Sequence, residues 1–221
     1  MNFLTFDLYF IFICFMVSLS VYFRSKPSYP YLKLFPPFLL ATVIIEVWGS
    51  YLGSIGENNA VVYNFFSTFE FCFYLFVISL LVNSPRVKKI IRVVIPVYFL
   101  SAITNILFIQ GMKTFHTVTY SSGCLLIVAF CIYYFFELFR LPKSENLVRN
   151  PAFWICSGLL FFYCCGFPLF GLINLWSKIP QLRVIRKNFT DFVTILNILL
   201  YSLFMIAFLC ARTRKYTLSS P

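Results

Sequence analysis

The stretch TVTYSSGCLLIVAFCIYYFFELF, residues 117–139, carries one charged residue, Glu137. Crossing about 30 Å of hydrocarbon takes about 20 mostly apolar residues as helix. This stretch meets both conditions of length and composition, and short polar connectors flank it on either side. Working outward, six more runs read the same way: Phe3–Phe23, Leu34–Gly53, Val61–Val82, Ile90–Ile109, Pro151–Trp176 and Phe189–Ala211. The gaps between them are short and rich in Gly, Pro, Asn, Lys and Arg. Pro36-Pro37 and Asn150-Pro151 put proline near a first helical turn, where a missing N–H costs nothing. The expected fold is all-α: residues 1–221 form one polytopic membrane domain, a bundle of seven transmembrane helices.

Composition supports that reading. Of 221 residues, 61% are hydrophobic and 21% aromatic, and only 11% are charged; soluble domains carry about 25% charged residues. So little polar surface cannot cover a globule in water, which excludes an ordinary soluble enzyme. The first run is not expected to be a cleaved signal peptide: it lacks a basic start and an A-x-A-like site, and it carries Asp7.

The net charge of +11, from 18 Lys+Arg against 7 Asp+Glu, would raise nucleic acid as a partner for a soluble chain. Here the basic residues sit between apolar runs, so lipid headgroups explain them and no nucleic-acid binding is expected. All eight cysteines lie inside apolar runs, with no CxxC pair and no His at metal spacing. They read as small packing residues, including the vicinal pair Cys164-Cys165.

The connectors set an orientation. The side holding the odd-numbered gaps and the C-terminus carries thirteen basic residues against five on the other. The positive-inside bias then predicts an outer N-terminus and a cytoplasmic C-terminus. One connector runs against the bias: the outer loop at 178–188 holds Lys178, Arg183, Arg186 and Lys187. Apolar Ile179, Leu182, Ile185 and Phe189 alternate with them, as in a short helix lying in the interface. An anion-binding loop is the other reading of the same residues.

Ionisable groups in hydrocarbon are costly and usually face a partner or a water-filled cavity. Five of the seven acids, Asp7, Glu46, Glu70, Glu137 and Asp191, fall inside runs. On the seven-span reading Glu46, Glu70, Asn64, Asn105, His116 and Asp191 fall from mid-depth to the outer ends. They are the ligand-pocket candidates: Glu46, Glu70 and Asn105 lining an outward-facing pocket, His116 and Asp191 at its mouth. Helix-to-helix hydrogen bonding is the alternative role for the same groups. Glu137, near the cytoplasmic side, is expected to pair with Arg140 at i+3. Gly49 and Gly53 form a GxxxG pattern, read as close helix packing, with a homodimer as the sharper alternative.

Known chemistries find little purchase. A retinal pigment needs a lysine in the seventh helix, and Phe192–Ala211 has none. His116 is the only histidine, too few for the usual zinc site and unaccompanied by a serine nucleophile motif. No catalytic residues, metal or cofactor are expected.

The strings Tyr31-Leu32-Lys33-Leu34-Phe35-Pro36-Pro37-Phe38, Tyr63-Asn64-Phe65-Phe66 through Glu70-Phe71, and Phe167-Pro168-Leu169-Phe170 resemble those of small bacterial seven-span membrane proteins. The resemblance implies a seven-helix fold in the bacterial inner membrane and brings no activity to carry over. Two functional readings follow from the pocket. The first is a receptor-like sensing component that passes a helix rearrangement to a cytoplasmic or membrane partner. The second is a small proton-coupled or cationic-solute carrier. A membrane enzyme is a third and weaker reading.

Overall fold

The computed structural model describes residues 6–23, 29–140, 147–172 and 183–213, with side chains of the last segment described over 189–211. Every regular element among these residues is helical. In chain order they are α1 (Phe6–Tyr22), α2 (Phe35–Ser54), α3 (Ala60–Leu81), α4 (Pro85–Thr104), α5 (Thr117–Arg140), α6 (Pro151–Gly171) and α7 (Arg183–Thr213). Short 3-10 turns precede α2 and α6, and a π-turn over Asn105–Ile109 closes α4. Among the described residues six helices are long and apolar enough to cross a membrane, and α1 is a shorter apolar helix of 17 residues. The chain is therefore a helical, multi-pass integral membrane protein.

Three boundaries differ from the sequence reading by several residues. Helix α4 starts at Pro85 rather than Ile90, so Arg86, Lys88 and Lys89 are helical. Proline opens the helix at N1, and the Glu137 carboxylate of α5 accepts from the free backbone N–H groups of Asn83 (2.6 Å) and Ser84 (3.0 Å). This end of α4 would otherwise leave both donors unpaired beside a positive dipole end. Glu137 is thus a cap between helices and not the expected partner of Arg140, whose guanidinium lies over the Phe136 ring at 3.9 Å.

At α7, the helix begins at Arg183 and continues for 31 residues. A separate interfacial helix over Ile179–Phe189 is therefore not seen from Arg183 onward, where the backbone already belongs to α7. At 1.5 Å per residue α7 is about 46 Å long, so its first turns extend past the hydrocarbon of a bilayer. Lys178 and the earlier part of this connector lie outside the described residues, as does Trp176, the expected end of the sixth run. Helix α6 ends at Gly171 with Pro168 inside its last turn.

The helices pack as a ring: α1 against α2 and α7, α6 against α5 and α7, and α3 against α4 and α5. The two ends of this bundle differ. Toward the end that holds Lys33, Arg86 and Arg140, the core is aromatic. Phe35 packs edge-on against Phe73, Phe204 and Phe208, and Phe38 stacks on Phe73 with centroids 3.9 Å apart. Such rings contribute large buried area and about 0.5–1.5 kcal/mol per pair beyond it. Toward the other end the buried positions include Thr42, Asn64, Ser67, Thr68, Asn105, His116 and Thr119. The turns at this end use Gly56 and Gly111, both with positive φ (77° and 83°), a conformation open to glycine and strained for other residues.

Candidate functional site

Alternation of short connectors brings the start of α1, α3, α5 and α7 to one end of the bundle, together with the last turns of α2, α4 and α6. A cavity of about 350 Å³ runs between six of these helices, α4 being the one that does not line it. Ligand pockets usually enclose about 300–1,000 Å³, so this one suits a small molecule. Its depth follows from the helix register. Asp7, Asn59, Ala60 and Phe170 line it near the helix ends, and Glu70, Phe162 and Tyr201 line it about halfway along α3, α6 and α7.

Three carboxyl groups from three helices enter this space: Asp7 of α1, Glu46 of α2 and Glu70 of α3. Asp7 accepts from the Asn197 amide of α7 at 2.9 Å and from its neighbouring Leu8 N–H at 3.2 Å. Glu46 accepts from the Tyr63 hydroxyl at 3.1 Å. Glu70 sits close to the hydroxyls of Tyr74 and Tyr163. Both hydroxyls are fully buried and complete no hydrogen bond. The described partners of the acids are neutral, and no Lys, Arg or His is among the described lining residues.

Behind this cavity lies a second polar assembly, which holds Asn64, Asn105 and His116. The Asn64 amide donates to the carbonyls of Met112 (3.3 Å) and Thr114 (2.8 Å), and its oxygen accepts from the His116 backbone N–H (3.1 Å). The His116 ring touches Ser67 Oγ through Nε2 and Thr119 Oγ1 through Nδ1, both at 2.7 Å. One neutral tautomer satisfies the whole chain. Ser67 donates to the Tyr63 carbonyl at 2.6 Å, so its oxygen is free to accept from Nε2–H. Thr119 then donates to Nδ1 and accepts from the Asn105 amide at 3.0 Å. Asn105 also donates to Gln110, which donates in turn to Thr117. Burial pushes the His116 pKa down from its ordinary 6.5 to about 4, because a charged imidazole loses its water there and gains no anion. This assembly ties the turn between α4 and α5 onto α3.

The sequence-derived candidates therefore divide. Glu46 and Glu70 line the cavity; Asn64, Asn105 and His116 belong to the assembly behind it and meet its wall at Ser67, Phe115 and Tyr120. Asp191 is exposed on α7 and does not line the cavity. Arg183, Arg186 and Lys187 sit in the first turns of α7 at the same end of the bundle, by backbone position. Asp7, Asn197, Tyr63, Ser67 and Tyr201 complete the cavity without having been assigned to it. Asn197 carried a readable signal, an amide deep in an apolar run facing the obligation to pair.

Gly49 accounts for the approach of α2 to α3. A Cβ there would lie 2.5 Å from the Tyr63 hydroxyl, so only glycine leaves Tyr63 free to reach Glu46. Asn59 donates to the Gly49 carbonyl at 3.2 Å and lies next to Gly53. Both glycines of the GxxxG pattern thus meet α3-side residues of the same chain.

Among the described residues no group of three or more His, Cys, Asp or Glu is arranged to hold a metal ion. Comparison of the chain with family models, curated proteins and solved structures finds no match.

Proposed function

We propose that the protein is a seven-span, receptor-like component of a plasma membrane, with its N-terminus and the carboxyl-lined cavity outward and its C-terminus in the cytoplasm. One observation carries this reading: a cavity drawn from six helices sits at the end of the bundle away from most basic connectors. A solute held there touches every helix except α4, so its binding energy can favour one arrangement of the bundle over another. The bacterial inner membrane as its location rests on the sequence resemblance alone, and a protein partner on the cytoplasmic side is part of the same proposal. Under it, the homodimer through Gly49 and Gly53 is not needed.

The test is thermal unfolding of the protein in nanodiscs with panels of cationic, neutral and anionic solutes. A ligand specific for the folded state, at 100 times its Kd, adds about 2.7 kcal/mol. The expected result is a shift with at least one panel that Glu46→Gln or Glu70→Gln diminishes. Shifts untouched by both variants would remove the cavity from the explanation. Impermeant labelling of single cysteines at Ser177 and Ser219 checks the topology: reaction from opposite sides supports it, reaction from one side overturns it.

A second reading, a small carrier, has its own support. Glu70 lies halfway along α3, the depth at which carriers hold their cargo. Flux into liposomes by the purified protein would favour it over the receptor.

A further inference from the structure

We infer that the cavity binds a small organic cation, an amine or quaternary ammonium, with the carboxyl groups of Glu46 and Glu70 as its charge partners. This rests on the cavity reading above and adds the chemical class of the ligand.

Charge is the first ground. Asp7, Glu46 and Glu70 bring three acids into one space, and their protein partners are an amide and phenolic hydroxyls. Neutral donors orient a carboxylate but supply no countercharge, and an unpaired charge removed from water is expensive. The described lining residues hold no cation to balance them. A cationic ligand does so, and it is drawn toward the site by the same field.

The walls are the second ground. Tyr63, Phe66, Tyr120, Phe162, Phe170 and Tyr201 face the same space. Aromatic faces attract organic cations, more strongly once water is displaced. They offer nothing comparable to an anion, whose charge the ring faces repel. A strongly hydrated inorganic ion is also ill-suited, since the donors are not gathered as a coordination shell and the volume of about 350 Å³ far exceeds one ion.

The third ground is a pair of hydroxyls beside Glu70. The Tyr74 and Tyr163 hydroxyls are buried beside Glu70, itself a cavity-lining residue, and complete no hydrogen bond. Buried hydroxyls ordinarily find partners. Two spare donors beside one carboxyl are placed to turn onto it when a cation occupies the site.

The experiment uses full-length protein in nanodiscs with Val193→Cys or Ala60→Cys, both at cavity-lining positions, and unsubstituted protein as the background for native cysteines. The probes are two methanethiosulfonates of similar size, one ending in trimethylammonium and one in sulfonate. Rates are referred to each reagent's rate with a free thiol. The expected result is reaction at least about tenfold faster with the ammonium reagent. Glu46→Gln and Glu70→Gln, made separately, should each cut that preference, and phenethylammonium should slow the reaction where 2-phenylethanol does not. Equal rates, faster reaction with the sulfonate, or a preference indifferent to both glutamates would overturn the cation assignment while leaving the cavity reading standing. No reaction above background with either reagent would overturn both. The preference in the otherwise unsubstituted Cys variants decides the matter even if one Gln variant fails to fold.

Discussion

Two polar regions lie side by side in this apolar bundle, and they are built on opposite principles. In the His116 assembly the donors and acceptors form a closed chain from Asn64 through Ser67, His116 and Thr119 to Asn105. In the cavity next door, three carboxyl groups meet only neutral partners among the described protein groups. The first arrangement is what stability requires of buried polar groups. The second is costly unless something from outside completes it. Polar residues in a membrane bundle therefore have two fates, and the hydrogen-bond inventory separates them better than their depth does.

The contrast can be broken most readily at Asn64. Asn64→Leu strips partners from two carbonyls and one buried N–H, each worth about 1–3 kcal/mol when left unpaired. A loss of about 3 kcal/mol or more is expected from thermal or denaturant unfolding in nanodiscs. A loss under about 1 kcal/mol would mean the assembly is not structural.

His116 supplies the pH counterpart. Its folded pKa of about 4 lies below the ordinary 6.5, so the unfolded chain binds more protons between those values and stability falls as pH falls across that window. The contribution is complete above pH 6.5 and declines toward pH 4 by about 3 kcal/mol. The difference between wild type and His116→Asn, measured at several pH values, isolates this slope. A difference that does not vary between pH 6.5 and 4 would contradict the closed neutral network.

A smaller effect is expected at the far end of α5. Glu137→Ala frees the Asn83 and Ser84 N–H groups and should cost about 1–2 kcal/mol, the usual worth of a helix cap with a favourable dipole contact. Local opening at the start of α4, read by amide exchange, should rise with it.

The smallest expected change is the sharpest test of the contrast. Glu70→Gln keeps the shape and removes an unbalanced acid, so stability without ligand should stay within about 1 kcal/mol of wild type or increase. A loss of more than about 2 kcal/mol would place Glu70 with Asn64 among the structural ties.

Much of the architecture was legible beforehand because the hydrophobic run is a local property. The run at Thr117–Phe139 and the helix Thr117–Arg140 start at the same residue, since a polar turn with Gly111 ends where the apolar stretch begins. The start of α4 was not legible, because the carboxylate that stabilises it comes from Glu137, 53 residues away in sequence at the Ser84 contact. The candidate site was half legible for a similar reason. Depth along a run can be counted, so Glu46, Glu70, Asn64, Asn105 and His116 could all be brought to one end. Which way each side chain turns depends on the rotation of one helix against another, and a run apolar on all sides leaves that rotation open.

The sequence by itself determined that this chain belongs in a bilayer, where its membrane-length apolar segments lie, and which rare polar residues enter them. Those are consequences of composition and length, because hydrocarbon accepts only segments that satisfy their own backbone. Tertiary structure alone decided that Asp7, Glu46 and Glu70 share one cavity with Asn197 and Tyr201, while His116 is sealed into a network behind it. Packing makes that choice: Gly49 admits Tyr63 close enough to meet Glu46, and only the assembled ring of helices brings α1 and α7 against the same space.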